Sequence, residues 1–350
     1  NGLCVSWYEN DNKKKEGNVK DGSKDGKWTY WHRQGSLSAP IPEKKKECYY
    51  KNDTLEGKCI SWFINGQKEF EGSYKDGKLN DKCTWWYKNG NKDMEGGFLN
   101  GNHHGIWTFW HPNGNKGSEG NFTDGKQDGE WTYWYESGKR IREGSYQGGL
   151  KVGLWTVWYE NGKKEHEGNF KEGEENGKWV SWYENEQKKD EGYFKMGKID
   201  ANWMGWYDSG RLKYNTNYKE DIKHGKWAHW FEDGQMEYEG NYKDGLLNGK
   251  WISWYNNSKL KEEGYYKDDK KDGLWVYWYE DGNKYQEQNY LNGRQHGKWT
   301  EWFEHGSISS EGYYKASAKD GTWTYWDAGG EKVYSATFKN GVKVKEVKYE

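Results

Sequence analysis

A repeat of 24 residues runs through the whole sequence and constrains its fold more than any other feature. Fourteen copies follow one another, and every step is 24 residues except the step from Gly26 to Gly57, which is 31. The copies begin at Gly2, Gly26, Gly57, Asp81, Gly105, Gly129, Gly153, Gly177, Ala201, Gly225, Gly249, Gly273, Gly297 and Gly321. No stretch is left over for a second domain, so we expect residues 1–350 to form a single array of fourteen repeats.

The longer step contains seven additional residues between Gly35 and Glu47. Pro40 and Pro42 lie in this segment, and proline cannot donate a backbone hydrogen bond to a strand ladder. We therefore predict a surface loop insertion around residues 36–46 that interrupts one hairpin.

Each copy contains two short aromatic segments separated by a turn dipeptide such as Asn161-Gly162. A second turn, for example Asp244-Gly245, leads to the next copy. Such dipeptides tolerate positive φ and are the strongest short-range signal for a hairpin, and no stretch has the length or period of a helix. The pattern predicts an all-β fold, an elongated repeat protein built as a continuous antiparallel meander. About fourteen β-hairpins, or 28 strands, would form a single twisted or coiled sheet.

The strand register follows if the turn occupies repeat positions 9 and 10, because paired positions then sum to 19. Position 3 would face position 16, and position 18 would face position 1. We expect Trp155 to cover Gly168 and Phe170 to cover Gly153. Positions 3, 7 and 18 would share one aromatic face, while position 6 points to the other beside positions 4 and 15. A bulge at a glycine would instead move position 6 to the first face.

Composition agrees with a core made of aromatic rings. Hydrophobic residues make up 32% of the chain and charged residues 31%, values close to those of disordered chains, but 19% of residues are aromatic. Position 6 is Trp in all fourteen copies and position 3 is Trp in eleven, with Cys4, Cys59 and Cys83 in the others. These two rows contain all but one of the 26 tryptophans, so each repeat contributes a few aromatic side chains to the core at fixed positions.

Charge and cysteine content exclude several classes of function. Lys and Arg number 54 and Asp and Glu 56, a net charge of −2 that argues against nucleic-acid binding and membrane association. No apolar run approaches the roughly 20 residues of a membrane span. The four cysteines have neither zinc-site spacing nor a recurring partner, so we expect no zinc site and no disulfide framework. The chain begins at Asn1, which predicts a fragment or a processed form and leaves its compartment open.

The consensus G-x-W-x-x-W-Y-x-x-G-x-x-x-x-E-G-x-Y-x-x-G resembles the variant MORN repeat, which also occurs in the YwqK-type bacterial antitoxin family. The glycines at positions 1, 10, 16 and 21 and the aromatics at 7 and 18 match, whereas position 6 is Trp where Tyr is common. The resemblance covers all fourteen copies. It implies an elongated, twisted β-sheet that serves as a scaffold, a dimerisation surface or a docking platform. The antitoxin likeness implies a toxin partner, and the lipid association proposed for related MORN proteins fits poorly with the near-neutral charge.

The position-6 tryptophans are the candidate binding site. Stacked side by side, they could bind a partner strand, mediate self-assembly or stack on the rings of an extended glycan. The structural alternative, which we favour, is that this row closes the interior of a coiled sheet. The candidate residues are Trp110, Trp134, Trp158, Trp182, Trp206, Trp230, Trp254 and Trp278.

Other residues carry weaker functional signals. Glu at position 15 occurs in twelve copies and is replaced by Asn215 and Ser335; it could pair with Thr at position 4 or with a nearby lysine. His103, His104 and His111 are close enough in sequence to suggest a metal site, but their places at a turn and a strand end favour solvated surface. We expect no catalytic residue, no metal and no cofactor.

We therefore predict a non-enzymatic β-repeat scaffold that binds proteins or itself, as a homo-oligomer, filament or structural component. The alternative is a recognition module that binds a toxin partner, as an antitoxin or immunity protein does, or an extended glycan along the tryptophan ladder.

Overall fold

The computed structural model describes residues 1–33 and 43–349. Within this part of the chain there are 31 β-strands, arranged as an antiparallel meandering sheet, and no helix. The predicted all-β hairpin architecture is thus confirmed. The chain divides into two compact units, Asn1–Glu174 and Glu175–Glu350, each of which is a run of hairpins.

The strands of the first unit pair with their neighbours in chain order. They are β1 (Gly2–Trp7), β2 (Lys13–Lys20), β3 (Ser23–Trp31), β4 (Lys44–Lys51), β5 (Thr54–Trp62), β6 (Lys68–Lys75), β7 (Lys78–Trp86), β8 (Lys92–Leu99), β9 (Asn102–Trp110), β10 (Lys116–Thr123), β11 (Lys126–Trp134), β12 (Arg140–Gln147), β13 (Leu150–Trp158) and β14 (Lys164–Lys171).

The remaining strands are again paired in chain order and lie in the second unit, except that β15 begins at Glu174, the last residue of the first. They are β15 (Glu174–Trp182), β16 (Lys188–Lys195), β17 (Lys198–Trp206), β18 (Leu212–Lys219), β19 (Ile222–Lys223), β20 (Gly225–Trp230), β21 (Met236–Lys243), β22 (Leu246–Leu247), β23 (Gly249–Trp254), β24 (Leu260–Lys267), β25 (Lys270–Trp278), β26 (Lys284–Leu291), β27 (Arg294–Trp302), β28 (Ile308–Lys315), β29 (Ala318–Trp326), β30 (Lys332–Lys339) and β31 (Val342–Lys348).

The described part of the chain has more strands than the 28 predicted, for two reasons. His224 separates β19 from β20 and Asn248 separates β22 from β23, so two expected strands are each interrupted by one residue. The last strand, β31, extends beyond the final complete copy of the repeat and pairs with β30.

The two turns of a repeat differ in structure. Between β13 and β14, the N–H of Gly162 donates to Tyr159 O at 2.9 Å, and Gly162 has a φ of 91°. This is a three-residue loop closed by a left-handed glycine, so the predicted two-residue turn at positions 9 and 10 is wrong. Between β10 and β11, Asp124 and Gly125 have φ values of 50° and 79°, as a two-residue type I′ turn requires.

The predicted register nevertheless holds away from the first turn. Trp155 pairs with Gly168, and Gly153 pairs with Phe170. Next to the turn, Trp158 pairs with Lys164, which leaves one residue of β14 bulged. The longer loop and the bulge compensate for each other, so the pairing of positions 3 and 16 survives. Because the bulged residue lies on the opposite strand, the position-6 tryptophan is not moved to the other face.

Seven of the eleven position-3 tryptophans are buried and form the core, and their rings pack on the preceding repeat. Trp131 is 2% exposed, and a Cβ added to Gly120 would lie 2.2 Å from its Cδ2 atom. Its Nε1–H donates to Asn121 O at 3.0 Å. The prediction that each indole ring covers the glycine of its own hairpin is therefore wrong. The prediction that Phe170 covers Gly153 is also wrong, because a Cβ added to Gly153 would meet no atom within 4 Å.

The rings on this face come from positions 3, 5 and 18. Trp131 lies edge-on to Phe122 at a centroid distance of 5.1 Å and stacks with Tyr133 at 5.9 Å. Position 5, not the predicted position 7, therefore completes the aromatic row. We call this surface the position-3 face.

A disulfide bond joins Cys48 and Cys59, contrary to the expectation from cysteine spacing. Cys48 replaces the glycine at position 16, and Cys59 replaces the tryptophan at position 3 of the next copy. The two residues pair directly across β4 and β5, so the disulfide occupies the place of a ring-on-glycine contact. The fully buried Cys83 lies over Gly72 in the same way, whereas Cys4 is half-buried and free.

The predicted insertion is only partly visible, since residues 36–42 lie outside the described residues. Residues 44–46, which the prediction includes in the loop, belong to β4. Within the described ranges, no helix has the length and apolarity needed to cross a membrane.

Candidate functional site

The candidate tryptophans lie on the face opposite the aromatic core, together with an array of charged side chains. We call it the position-6 face; it carries positions 2, 4, 6, 12, 15 and 17. Each of the eight candidate residues is half-buried. The structure thus neither buries the row in a core nor leaves it fully open to solvent.

Glutamates at position 15 hold this face together through ion pairs. Glu95 lies 2.8 Å from Lys82 Nζ and 2.8 Å from Lys92 Nζ, and accepts a hydrogen bond from Thr84 Oγ1 at 3.0 Å. The predicted pairing of position 15 with Thr at position 4 and with neighbouring lysines is confirmed. Similar double pairs involve Glu47, Glu71 and Glu191.

These pairs keep the carboxylates ionised. Burial by itself would raise the pKa of Glu95, but the hydrogen bonds from Lys82, Lys92 and Thr84 outweigh it and lower the pKa to about 2. The hydrogen bonds from Lys58 and Lys68 likewise lower the pKa of Glu71. A general acid needs the opposite shift, so Glu95 and Glu71 have the electrostatics of structural groups.

The same cations at position 12 cover the tryptophans of the following repeat. Lys92 Nζ lies 5.3 Å from the ring centre of Trp110, and Lys116 Nζ lies 5.8 Å from that of Trp134. Distances in this range are typical of cation–π contacts. In these repeats the exposed side of the indole is therefore already occupied by the chain's own lysine.

The cation is replaced by an aliphatic side chain in part of the second unit. Leu212, Met236 and Leu260 occupy position 12 in three successive copies, before Trp230, Trp254 and Trp278 respectively. Met236 pairs directly with Trp230. These three tryptophans consequently lie in an apolar row without lysine caps from position 12.

Position 7 links successive repeats through the backbone. Tyr87 Oη donates to Trp110 O at 2.8 Å, and Tyr135 Oη donates to Trp158 O at 3.2 Å. In another copy a histidine takes this place, with His111 Nε2 lying 2.9 Å from Trp134 O. The aromatic residue at position 7 thus holds the backbone at the edge of the candidate row.

The three histidines considered as metal ligands have separate environments. His103 lies among aromatic rings, with its ring centre 4.2 Å from that of Trp107 and 4.8 Å from that of Phe98. Burial lowers the pKa of the His103 imidazole. His104 is exposed in the same strand. The interpretation as solvated surface is thus wrong for His103 and for the half-buried His111. Among the residues that the structure describes, no group of three or more His, Cys, Asp or Glu side chains could hold a metal ion.

A cavity not foreseen from the sequence lies on the position-6 face of the second unit. It measures about 280 Å³. It is lined by Asn202, Asn215, Asn217, Lys226, Ala228, Trp230 and Met236. Trp230 belongs to the predicted ladder, whereas the three asparagines do not. The available signal was the loss of the consensus Glu at Asn215, which marks the copy where the ion-pair array is interrupted.

The sequence profile of the family described as MORN repeat variant matches seven segments of the chain. The matched segments are residues 104–124, 127–147, 151–172, 223–244, 247–268, 271–292 and 295–316. These seven segments are thus variant MORN repeats, and the resemblance stated from the consensus is confirmed for them. The further likeness to YwqK-type antitoxins stays a prediction. No curated protein matches the sequence.

Solved structures of toxin complexes give weak similarity. One is described as the crystal structure of TcdB2-TccC3-Cdc42, with 9% identity and a TM-score of 0.16 over 95% of this chain and 22% of that chain. The crystal structure of TcdB2-TccC3 has 12% sequence identity and a TM-score of 0.17, over 97% of this chain and 20% of that chain. The structure of the Photorhabdus luminescens Tc holotoxin pore has 9% identity and a TM-score of 0.17, over 97% of this chain and 22% of that chain. The chain spans about a fifth of the length of these proteins. Similarity at this level supports no inference about function.

Proposed function

We propose that this chain is a non-enzymatic repeat scaffold whose position-6 face binds protein partners, a second copy of the chain included. One observation carries the proposal, namely that large apolar side chains on this face are exposed between the ion pairs. In the second unit Tyr265 is 54% exposed, Leu274 is 47% exposed and Tyr313 is 53% exposed. They occupy positions 17 and 2, which repeat along the face.

The chemistry of these side chains suits a protein partner. Exposed apolar patches rimmed by polar groups are typical of interaction surfaces, and tyrosine is enriched at the centres of protein interfaces. Lys250 pairs across the ladder with Tyr265, and Lys298 with Tyr313, so each ring has a charged neighbour. A partner would bury the rings while its own polar groups meet the lysines.

The proposal is tested with a variant that changes only the exposed side chains. In Tyr265→Lys/Leu274→Lys/Tyr313→Lys, no buried group is lost, so the fold should survive. We expect sedimentation velocity to show self-association of the wild type as its concentration rises, or quantitative affinity capture to recover specific proteins with it. Either behaviour should be lost in the variant.

A matched control makes the same net change in charge, three positive units, at two exposed turn residues, as in Asn256→Lys/Glu304→Lys. It should behave like the wild type. If the wild type is monomeric at every concentration and the triple variant captures the same proteins as the control, the proposal is wrong.

A further inference from the structure

One copy of the repeat departs from the consensus at several positions that meet at one place. Asn202 occupies position 2, which is lysine in seven copies, and Asn215 occupies position 15, which is glutamate in twelve. In the following copy Ala228 occupies position 4, where seven copies have threonine. The backbone register pairs Asn215 directly with Ala228. The three substitutions therefore remove the lysine and glutamate of one copy and the neighbouring threonine of the next from the position-6 face.

The cavity of about 280 Å³ lies where this group is missing. In a regular copy the space holds a carboxylate such as Glu95, bridged to Lys82 and Lys92. Shorter amide side chains and an alanine methyl group cannot fill it. Its size is near the lower end of small-molecule pockets, roughly 300–1,000 Å³.

The asparagines leave hydrogen-bonding groups available in this cavity. Asn202 Nδ2 donates to Asn215 Oδ1 and to Thr216 O, the latter at 3.1 Å, and Asn217 Nδ2 donates to Lys226 O at 2.7 Å. Within the described residues, Asn215 Nδ2, Asn202 Oδ1 and Asn217 Oδ1 have no hydrogen-bond partner. The cavity thus offers one uncharged donor group and two uncharged acceptors.

An aromatic wall completes the cavity. Trp230 is half-buried, and position 12 on either side of it is aliphatic, with Leu212 before it and Met236 paired to it. No lysine from position 12 therefore covers its ring, in contrast to Trp110 under Lys92. The indole presents a flat apolar surface next to the amides.

The charge in the cavity is already neutralised. Lys226, its only cationic lining residue, lies with Nζ 2.8 Å from Glu239 Oε2. An anionic ligand would have to compete with this carboxylate, and a cationic ligand would meet no unpaired carboxylate among the lining residues. The cavity consequently favours a neutral ligand.

We propose that this cavity binds a neutral sugar residue of a saccharide. The apolar C–H surface of a pyranose ring would stack on Trp230, and its hydroxyl groups would accept from Asn215 Nδ2 and donate to Asn202 Oδ1 and Asn217 Oδ1. Hydroxyl groups both donate and accept, which matches amides better than a purely apolar ligand does. The site is a single subsite in the irregular copy, independent of the exposed rings of the proposed protein-binding surface.

Saturation-transfer NMR and titration calorimetry on the full chain test this proposal. The probes are maltotriose, cellotriose, N,N′,N″-triacetylchitotriose and mannotriose, with sodium sulfate as an anionic probe. We expect at least one trisaccharide to bind and sulfate not to compete. The variant Asn202→Lys/Asn215→Glu/Ala228→Thr rebuilds the consensus residues at these three positions and should weaken that binding at least tenfold while retaining the wild-type circular dichroism spectrum.

Two controls keep the outcome decisive. The variant Thr322→Lys/Thr337→Glu adds the same kinds of charge at a cross-strand pair away from the cavity and should bind like the wild type. Asn217→Ala tests the site without added charge and should weaken binding at least fivefold. The proposal is overturned if no trisaccharide binds, or if the rebuilt variant binds as the wild type does. Because Tyr265, Leu274 and Tyr313 do not line the cavity, their triple variant should retain saccharide binding even if it loses protein binding.

Discussion

At the scale of single residues, the contact between an indole ring and a glycine is the most restrictive feature. A methyl group on Gly120 would overlap the ring of Trp131, with 2.2 Å between the added Cβ and Cδ2. We expect Gly120→Ala to lower the free energy of unfolding by about 1–3 kcal/mol, because the buried ring has no space into which to move. Chemical denaturation monitored by circular dichroism measures this change.

The cause of that loss is separable from a general effect of alanine in a strand. Trp131→Phe shortens the ring that blocks the methyl group, so the cost of Gly120→Ala should be smaller in the Phe background. A double-mutant cycle gives this coupling directly. Equal costs in both backgrounds would show that the ring is not the obstacle.

The ion-paired glutamates predict how stability depends on pH. The pKa of Glu95 is lowered to about 2 in the fold from its ordinary value of 4.5, so its stabilising effect is present above pH 4.5. It is lost as the pH falls through 2. Thermal melting points should therefore decrease between pH 4.5 and 2, and Glu95→Gln should make the decrease shallower. Glu136→Gln, in an exposed turn, is the control; a Glu95→Gln curve parallel to the wild-type curve would contradict the account.

At the scale of elements, the position-7 tyrosines link one hairpin to the next. Tyr87 Oη donates to Trp110 O at 2.8 Å across the repeat boundary. We expect Tyr87→Phe to cost about 0.5–1.5 kcal/mol and to increase amide exchange in the turn after β7. Hydrogen-exchange mass spectrometry locates the change. Tyr193→Phe, which alters an exposed hydroxyl, should leave exchange unchanged, and the link is disproved if the two variants behave alike.

Much of the hairpin architecture follows from the sequence because its causes are local. Dipeptides such as Asp124-Gly125 require positive φ and mark a turn, and the repeat period fixes where the strands begin and end. The Trp155–Gly168 pairing was predictable for the same reason. The partner of each indole ring was not, because the direction in which Trp131 leans across to Gly120 depends on bulges that no dipeptide specifies.

The candidate site was predictable only where it follows the consensus. Repetition identified Trp230 as part of a row and Glu95 as part of an ion-pair array. The cavity next to Trp230 depends on Asn202, Asn215 and Ala228, which are distant in sequence and meet only through the strand register. The disulfide was missed for the same reason, since Cys48 and Cys59 are paired by the sheet and not by any spacing motif.

At the scale of the whole molecule, stability should depend on complete repeats, because each hairpin is stabilised by contacts with the neighbouring hairpins. Deletion of residues 130–153 removes 24 residues and restores the same register at the junction. We expect this variant to fold with a melting transition close to that of the wild type. Deletion of residues 130–141 removes half a repeat and places each aromatic row out of phase, so it should lose cooperative unfolding. Similar melting curves for the two deletions would contradict a modular array.

The two tryptophan rows lie on opposite faces of the sheet, with Trp107 and Trp131 buried in one row and Trp110 and Trp134 half-buried in the other. Hydroxyl-radical footprinting with mass spectrometry measures the modification of each tryptophan separately. We expect faster modification of Trp110 and Trp134 than of the buried Trp107 and Trp131, which are 0% and 2% exposed. Equal rates for the two rows, or faster modification of Trp107 and Trp131, would contradict it.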